Sequence, residues 1–200
     1  MSSFNTLARK SESLYKEKGS KFIAYALPIN SVEDSKKELE QIQAKHAKAG
    51  HFCSALLLGI GDAEYFLSND DGEPSNSAGA PILGQIRSHE LTNVYLVVVR
   101  YFGGTKLGVG GLISAYKTAA AQAIAKNKII IRKIKKTLEF EVDYSILGDI
   151  LAIIDKNNLQ VEMDNSATKA IVKLIVEEEK LEQVKGLFDR FQELNFHENS

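Results

Sequence analysis

Cysteine, tryptophan and proline are scarce in this chain, and long apolar runs are absent. Among its 200 residues there are one cysteine, Cys53, three prolines and no tryptophan. A single cysteine excludes an internal disulfide and is typical of proteins in a reducing compartment. No stretch approaches the ~20 apolar residues of a membrane span, and the N-terminal segment lacks the apolar core of a signal peptide. We therefore predict a cytoplasmic protein that does not contact membranes.

Charge is distributed unevenly along the chain. Residues 1–136 contain 19 Lys+Arg and 12 Asp+Glu, a net charge of +7, whereas residues 137–200 contain 6 and 14, a net charge of −8. The overall content of 44% hydrophobic and 26% charged residues is ordinary for a globular protein. The charge step predicts two domains, 1–136 and 137–200, which either have different partners or attract one another.

The first domain is organised around residues 94–126. Residues 94–102 are apolar and rich in valine, which is typical of a strand buried on both faces. Residues 112–126 are rich in alanine and predict a helix. Between them lies a glycine-rich segment, residues 103–111, which contains Gly103, Gly104, Gly108, Gly110 and Gly111.

The glycine-rich segment has two interpretations. Its backbone N–H groups, next to a helix N-terminus, are suited to bind an anion. Alternatively, the glycines serve only a tight turn and close helix–strand packing. The P-loop pattern is not matched, because Lys106 is followed by Leu107, and the dinucleotide-binding pattern fails because Ile113 replaces its last glycine. In either case we expect Gly104 or Gly110 to need a positive φ or a close backbone approach.

Hydrophobic periodicity and turn residues predict the remaining elements. In the first domain they are a hairpin of strands 13–17 and 21–27, a helix over 32–48, strands 51–60 and 64–68, a short helix over 80–88 and an edge strand over 129–134. In the second they are strand 137–144, helix 145–157, strands 159–163 and 169–176 around a turn at 164–166, helix 181–194 and a last strand near Phe196. This βαββα order is typical of a ferredoxin-like α/β sandwich.

An acidic loop, residues 70–73, precedes the short helix. Its side chains Asp70, Asp71 and Glu73 could hold a divalent cation, or the loop could be a solvated turn. Ser75 adds a hydroxyl donor next to it. Arg100 is the only charge in the apolar strand, and a buried guanidinium must be paired, so the three carboxylates are its natural partners. The alternative is that Arg100 lies at an exposed strand end.

Three residues before and within strand 51–60 raise the question of a zinc site. His46, His51 and Cys53 are possible ligands, but a fourth ligand is missing nearby, so we favour a small core residue at Cys53. Cys53 is expected on the same strand face as His51. Tyr101 and Phe102 could stack on a nucleobase or simply pack, and packing is the favoured interpretation.

Three stretches resemble the signature of the IMPACT family, which includes bacterial YigZ. They are residues 70–75, 78–81 and 97–112, although Asn76-Ser77 stands where many members have Gly-Thr. The resemblance implies an α+β chain, with an N-terminal domain like the second domain of a small-subunit ribosomal protein and a C-terminal ferredoxin-like domain similar to those of elongation factor G. In eukaryotic relatives the first domain binds the activator of a starvation-sensing kinase. That partner does not carry over to the two-domain bacterial layout.

We predict a non-enzymatic, translation-associated binding protein without cofactor or catalytic residues. Its basic domain would contact RNA or the ribosome, through Lys106, Lys117 and the basic cluster 132–136. Its acidic domain would bind a protein or fold back on the basic surface. The candidate binding residues are Asp70, Asp71, Glu73, Ser75, Arg100, Gly103, Gly104, Lys106, Gly108, Gly110, Gly111 and Lys117. Two alternatives stay open: an enzyme that binds a phosphate group with Mg²⁺ on the acidic loop, and a protein-interaction module that binds no nucleic acid.

Overall fold

Strands and helices gather into two separate units in a computed structural model, which describes residues 2–165 and 168–199. The first unit is Phe4–Arg132, and the second is Lys133–Ser200 together with Met1–Ser3. Both combine helices with antiparallel sheets, so the predicted α+β class is confirmed. The predicted division after residue 136 stays a prediction. No helix in the described residues is long and apolar enough to cross a membrane.

The first unit is a sheet covered by helices on both faces. Its elements in chain order are β1 Ser3–Leu7, β2 Ser11–Glu17, β3 Ser20–Pro28, α1 Val32–Lys45, β4 His51–Leu58, β5 Tyr65–Asn69, α2 Gly79–Ser88, β6 Val94–Tyr101, α3 Gly108–Ala125 and β7 Ile129–Lys133. Five strands pair antiparallel in the order β2-β3-β6-β4-β5, and β1 pairs separately with β7. Helices α2 and α3 pack on one sheet face and α1 on the other.

The central strand β6 is buried on both faces, as its valine-rich sequence predicted. Val94, Leu96 and Val98 pack under α2 and α3, while the alternate residues Val97 and Val99 pack under α1. Each fully buried valine contributes on the order of 1.5–3 kcal/mol relative to an exposed one. This buried strand therefore fixes the position of Arg100 near its C-terminal end and of the connection that follows it.

Local signals located the hairpin and the first helix correctly. The β2–β3 turn consists of Lys18 and Gly19, with φ of +45° and +81°, as a two-residue hairpin turn requires. Ser31 caps α1 by accepting the Asp34 backbone N–H at 3.1 Å. Helix α1 ends at Lys45 rather than at the predicted residue 48, because the chain leaves the helical conformation at His46, which is buried.

Helix α3 begins earlier than its composition predicted. It starts at Gly108 instead of residue 112, so Gly110 and Gly111 lie in its first turn rather than in a loop. The sequence prediction followed helix propensity, which is low for glycine. In the folded unit Leu112 is buried and Leu107 packs against the same core, and this packing anchors the first turn. The connection between β6 and α3 is therefore only residues 102–107.

The second unit has the ferredoxin-like arrangement that the element order predicted. Its elements are β8 Lys135–Val142, α4 Tyr144–Lys156, β9 Gln160–Asp164, β10 Ala170–Glu177, α5 Leu181–Gly186 and β11 His197–Asn199. The strands pair antiparallel in the order β11-β8-β10-β9. The β9–β10 turn was predicted at residues 164–166, of which Ser166 lies outside the described residues.

Helix α5 is shorter than predicted. It ends at Gly186, not at residue 194, and the following chain continues in turns closed by hydrogen bonds between residues three apart. Glycine weakens a helix interior. The tighter turns place Phe188 and Leu194 in the core of the unit, where Phe196 also packs.

Gly103, rather than Gly110, is the glycine that close packing requires. A Cβ built on Gly103 would lie 1.9 Å from the Gly19 carbonyl carbon, whereas one on Gly110 would meet nothing within 4 Å. The expectation that Gly104 or Gly110 needs a positive φ or a close approach is confirmed at Gly104, whose φ is +87°, while Gly110 meets neither condition.

We predict that Gly103→Ala lowers the free energy of unfolding by about 3 kcal/mol or more, because backbone must move to admit the methyl group. Gly110→Ala is the matched control, and it should leave stability unchanged or raise it by up to about 1 kcal/mol through helix propensity. Urea denaturation followed by circular dichroism measures both. Equal stability of the two variants would contradict the close packing of Gly103 on the β2–β3 turn.

Candidate functional site

The first carboxylate of the acidic loop holds the start of α2. Asp70 Oδ1 accepts the backbone N–H groups of Ala78 and Gly79 at 2.9 and 2.8 Å, and Oδ2 accepts that of Asn76 at 2.8 Å. The N-cap residue Ala78 makes no such bond with its own side chain. Burial acts to raise the pKa of Asp70, but the N–H donors outweigh it and the pKa is lowered. Asp70 is therefore an ionised carboxylate that caps the N-terminus of α2, although it lies eight residues before the N-cap position Ala78.

The second carboxylate ties the acidic loop to the start of β4. Asp71 Oδ2 accepts the backbone N–H of Phe52 at 2.6 Å, and the Asp71 carbonyl oxygen accepts a hydrogen bond from His51 Nδ1 at 2.7 Å. Ser75 is exposed beyond the loop, and its hydroxyl accepts a long bond of 3.4 Å from Asn76 Nδ2. Asp71 thus has a structural partner of its own.

The third carboxylate forms a buried ion pair with Arg100. Arg100 Nη1 lies 2.6 Å from Glu73 Oε1, and the side chains are only 7% and 4% exposed. Tyr116 donates its hydroxyl to the same oxygen at 2.8 Å. The rings of Phe22 and Phe102 flank the guanidinium, with centroids 5.5 and 5.7 Å from Cζ. The predicted pairing of Arg100 with the acidic loop is confirmed, and the interpretation as an exposed strand end is wrong.

Cys53 is a protonated core residue next to this pair. Its sulfur lies 3.0 Å from the Asp70 carbonyl oxygen and 3.2 Å from the Tyr116 hydroxyl oxygen, and its one S–H can donate to either. Burial is the main cause that raises the pKa of Cys53 to about 12, so the thiolate is absent at neutral pH. Cys53 and His51 both contact the acidic loop, which confirms that they share a strand face.

His46 lies elsewhere, and the zinc hypothesis is not supported. Its Nε2 and Nδ1 are hydrogen-bonded to the hydroxyl groups of Tyr25 and Tyr101 at 2.7 and 2.9 Å, in the layer covered by α1. Burial is the main cause that lowers the pKa of His46. Throughout residues 2–165 and 168–199, no group of three or more His, Cys, Asp or Glu side chains could hold a metal ion. The geometry therefore does not favour magnesium on the acidic loop either.

The remaining candidate residues are mostly exposed and lie before the start of α3, in its first turn or, for Lys117, in its third turn. Residues 102–106 and Gly108, Gly110 and Lys117 are exposed, and Gly111 is half-buried. Within the described part of the chain, neither Lys106 nor Lys117 forms an ion pair. The candidate residues thus fall into two groups: a buried polar cluster that connects loop, strand and helix, and an exposed surface of glycine backbone and lysines.

The sequence interpretation missed Tyr116 and misjudged Phe102 and the basic cluster 132–136. Tyr116 is a buried member of the polar cluster, and the signal was a lone tyrosine on the apolar face of an alanine-rich helix. Phe102 is 58% exposed, so the packing prediction is wrong for it, whereas Tyr101 packs against the core as predicted. In the cluster 132–136, Lys133 pairs with Glu179 within the second unit, which removes one of the cations predicted to bind phosphate.

We predict that Arg100→Met lowers the free energy of unfolding by about 3 kcal/mol, because it leaves the buried Glu73 carboxylate without its counter-ion. Adding Glu73→Gln should recover part of that loss, since glutamine still accepts the Tyr116 hydroxyl. A double-mutant cycle by urea denaturation measures the coupling.

The matched control for this cycle is the exposed pair Arg87–Glu64. Its atoms are 3.0 Å apart, but the side chains are 48% and 41% exposed. Arg87→Met and Glu64→Gln should each cost less than about 1 kcal/mol and show little coupling. Losses for Arg100 and Glu73 that are simply additive would show that the buried pair does not connect the two segments.

A second prediction follows from the lowered pKa of Asp70. Because the carboxylate is favoured in the folded state, its stabilisation is present above the unfolded pKa of about 3.9 and is lost as the pH falls through the lower folded value. Asp70→Ala should cost about 0.5–2 kcal/mol at pH 7, and progressively less below pH ~4. Asp62→Ala, an exposed position, is the control. A pH-independent difference in urea denaturation would exclude an ionised cap.

Comparison with known proteins agrees with this architecture. The family model of the Impact N-terminal domain matches residues 18–124. An IMPACT family member from Haemophilus influenzae is 32% identical over 173 residues, which are 85% of this chain and 83% of that protein. The IMPACT family member YvyE from Bacillus subtilis is 36% identical over 131 residues, 66% of this chain but only 60% of YvyE.

Solved structures extend the comparison. The crystal structure of a hypothetical protein covers 98% of this chain and 97% of its own, with a TM-score of 0.81 and 27% identity. Yih1, described as a two-domain translational regulator, is 29% identical and covers 62% of this chain and 47% of its own, with a TM-score of 0.37. The family model spans more than half of the 200 residues, and the chain belongs to the IMPACT family.

Proposed function

We propose that this chain is a translation-associated regulatory protein that acts by binding RNA, not by catalysis. Family membership supports the connection to translation: the relative Yih1 is described as a translational regulator. RNA binding is supported by the charge of the first unit and by its unpaired exposed lysines. The cytoplasmic location is part of the same proposal.

The charge difference between the two units is the observation that carries the proposal. Residues 4–132 contain 16 Lys+Arg and 12 Asp+Glu, a net charge of +4, and the rest of the chain contains 9 and 14, a net charge of −5. The buried pair of Glu73 and Arg100 removes one charge of each sign, so the net charge of the first unit stays at +4. Polyanions are attracted to such a surface through counter-ion release.

The exposed surface at the start of α3 is suited to phosphate contacts. Lys106 and Lys117 carry charge that no described carboxylate neutralises. Gly104 and Gly110 have open space where a side chain would lie, so backbone is accessible to a ligand. The buried polar cluster below contains no thiolate, because Cys53 is protonated, and its Glu73 carboxylate is paired with Arg100, which favours binding over an enzymatic reaction.

The acidic second unit supports a protein partner within the same proposal. Its net charge of −5 disfavours nucleic acid and favours a basic protein surface. Affinity purification of the tagged protein with and without RNase separates the two kinds of partner. Proteins that remain bound after RNase treatment are assigned to direct binding by the second unit. Proteins that are lost after RNase treatment were bound through RNA.

We predict that the purified protein binds a labelled 12-nucleotide RNA with an affinity that falls steeply between 50 and 300 mM salt. Replacing both lysines, Lys106→Gln with Lys117→Gln, removes two phosphate contacts and should make the slope of log K against log salt less steep by about 1.4. Fluorescence polarisation measures the affinities.

The matched control removes the same charge from the opposite face of the sheet. Lys37 and Lys48 are exposed residues on and just after α1, so Lys37→Gln with Lys48→Gln should leave the slope unchanged. RNA affinity that is absent, or that does not depend on salt, would overturn the proposal. An equal effect of both double variants would overturn the assignment of this surface.

A further inference from the structure

Phe102 is exposed to solvent where the first unit leaves its central strand. Its side chain is 58% exposed, more than any other aromatic side chain in the described residues. Tyr101, directly before it, is half-buried, and Arg100, two positions earlier, is only 6% exposed. A large apolar ring held in water at this place forgoes the stabilisation that burial would give. Such a ring is suited to contact a ligand.

The ring is fixed by the buried cluster beneath it. The Arg100 guanidinium lies 5.7 Å from the Phe102 ring centroid and 5.5 Å from that of Phe22, within cation–π range of both. Glu73 anchors the guanidinium at 2.6 Å. Arg100 Nε is buried without a hydrogen-bond partner. The guanidinium lies between the two aromatic rings, which cannot accept a conventional hydrogen bond in its plane. This position leaves the Arg100 Nε–H without an acceptor.

The backbone that follows the ring is fixed as well. Gly103 donates its N–H to Ser20 Oγ at 3.2 Å and packs on the Gly19 backbone without room for a side chain. One residue later, a Cβ on Gly104 would meet nothing within 4 Å. Phe102 is therefore held on a rigid base beside open space, and Lys106 follows in the same connection.

We propose that Phe102 is a stacking platform for an unpaired nucleobase, so that the first unit recognises single-stranded RNA. This inference rests on the proposed function, in which lysines contact the phosphates. A nucleobase can stack on the face of the Phe102 ring, while the phosphate of the same nucleotide contacts Lys106 and the exposed glycine backbone. In a duplex the bases are already stacked and cannot reach the ring, so single strands are preferred.

The test compares three labelled RNAs by fluorescence polarisation at one salt concentration. They are a 12-nucleotide unpaired strand, an abasic strand with the same number of phosphates, and a blunt duplex. We expect the unpaired strand to bind on the order of 10- to 100-fold more tightly than the abasic strand, since aromatic stacking supplies that difference.

Two substitutions and a control identify the ring. Phe102→Leu keeps an apolar side chain but removes the stacking face, and it should reduce the affinity for the unpaired strand to that for the abasic strand. Phe102→Tyr should retain most of the preference. Phe66 is the matched control, because it is a 47% exposed phenylalanine with Arg87 4.5 Å from its ring centroid, and Phe66→Leu should change nothing.

The outcomes separate this inference from the proposed function. Salt-dependent binding that is equal for unpaired and abasic strands overturns base stacking and leaves phosphate binding intact. Binding of none of the three RNAs overturns both. If Phe102→Leu leaves RNA affinity unchanged but removes an RNase-resistant protein from the affinity purification, the ring is a protein contact and the inference is wrong. Thermal denaturation of each variant checks that it is folded.

Discussion

A single carboxylate oxygen joins the parts of the first unit that carry the candidate site. Glu73 Oε1 is bonded to Arg100 from the end of β6 and to Tyr116 from α3, and Glu73 itself comes from the loop between β5 and α2. A buried charge that loses its counter-ion is costly, whereas a complete pair holds its geometry. The interactions of Glu73 therefore fix the loop, β6 and α3 relative to one another. The exposed residues attached to these elements are fixed by the same contacts.

The polar side chains that stabilise the first unit are distinct from the residues that it exposes to solvent. The side chains that attract attention in the sequence as ligands or nucleophiles, such as Asp70 and Cys53, are engaged inside the protein with backbone groups and each other. What remains exposed in this part of the first unit is an aromatic ring, glycine backbone and lysines. Many of the IMPACT signature residues in this chain, such as Asp70, Glu73 and Arg100, therefore stabilise the structure beneath the exposed surface.

Signals confined to a few neighbouring residues were readable from the sequence. The buried strand β6, the Ser31 cap and the order of elements in the second unit all follow from periodicity and turn residues. Even the pairing of Arg100 could be anticipated, because a buried charge needs a partner. The start of α3, the close packing of Gly103 and the exposure of Phe102 depend on contacts between residues distant in sequence. Local propensity carries no information about those contacts.

The position of β6 between β3 and β4 has a consequence for how the chain acquires its structure. The β2–β3 and β4–β5 hairpins precede β6 in the chain and have only local connections, so they can form as soon as they are synthesised. Until β6 arrives, however, β3 and β4 each expose an unpaired edge. Newly made chains that end before residue 94 therefore carry two open strand edges more than the complete sheet, and open edges are the sites through which β proteins most readily associate with one another.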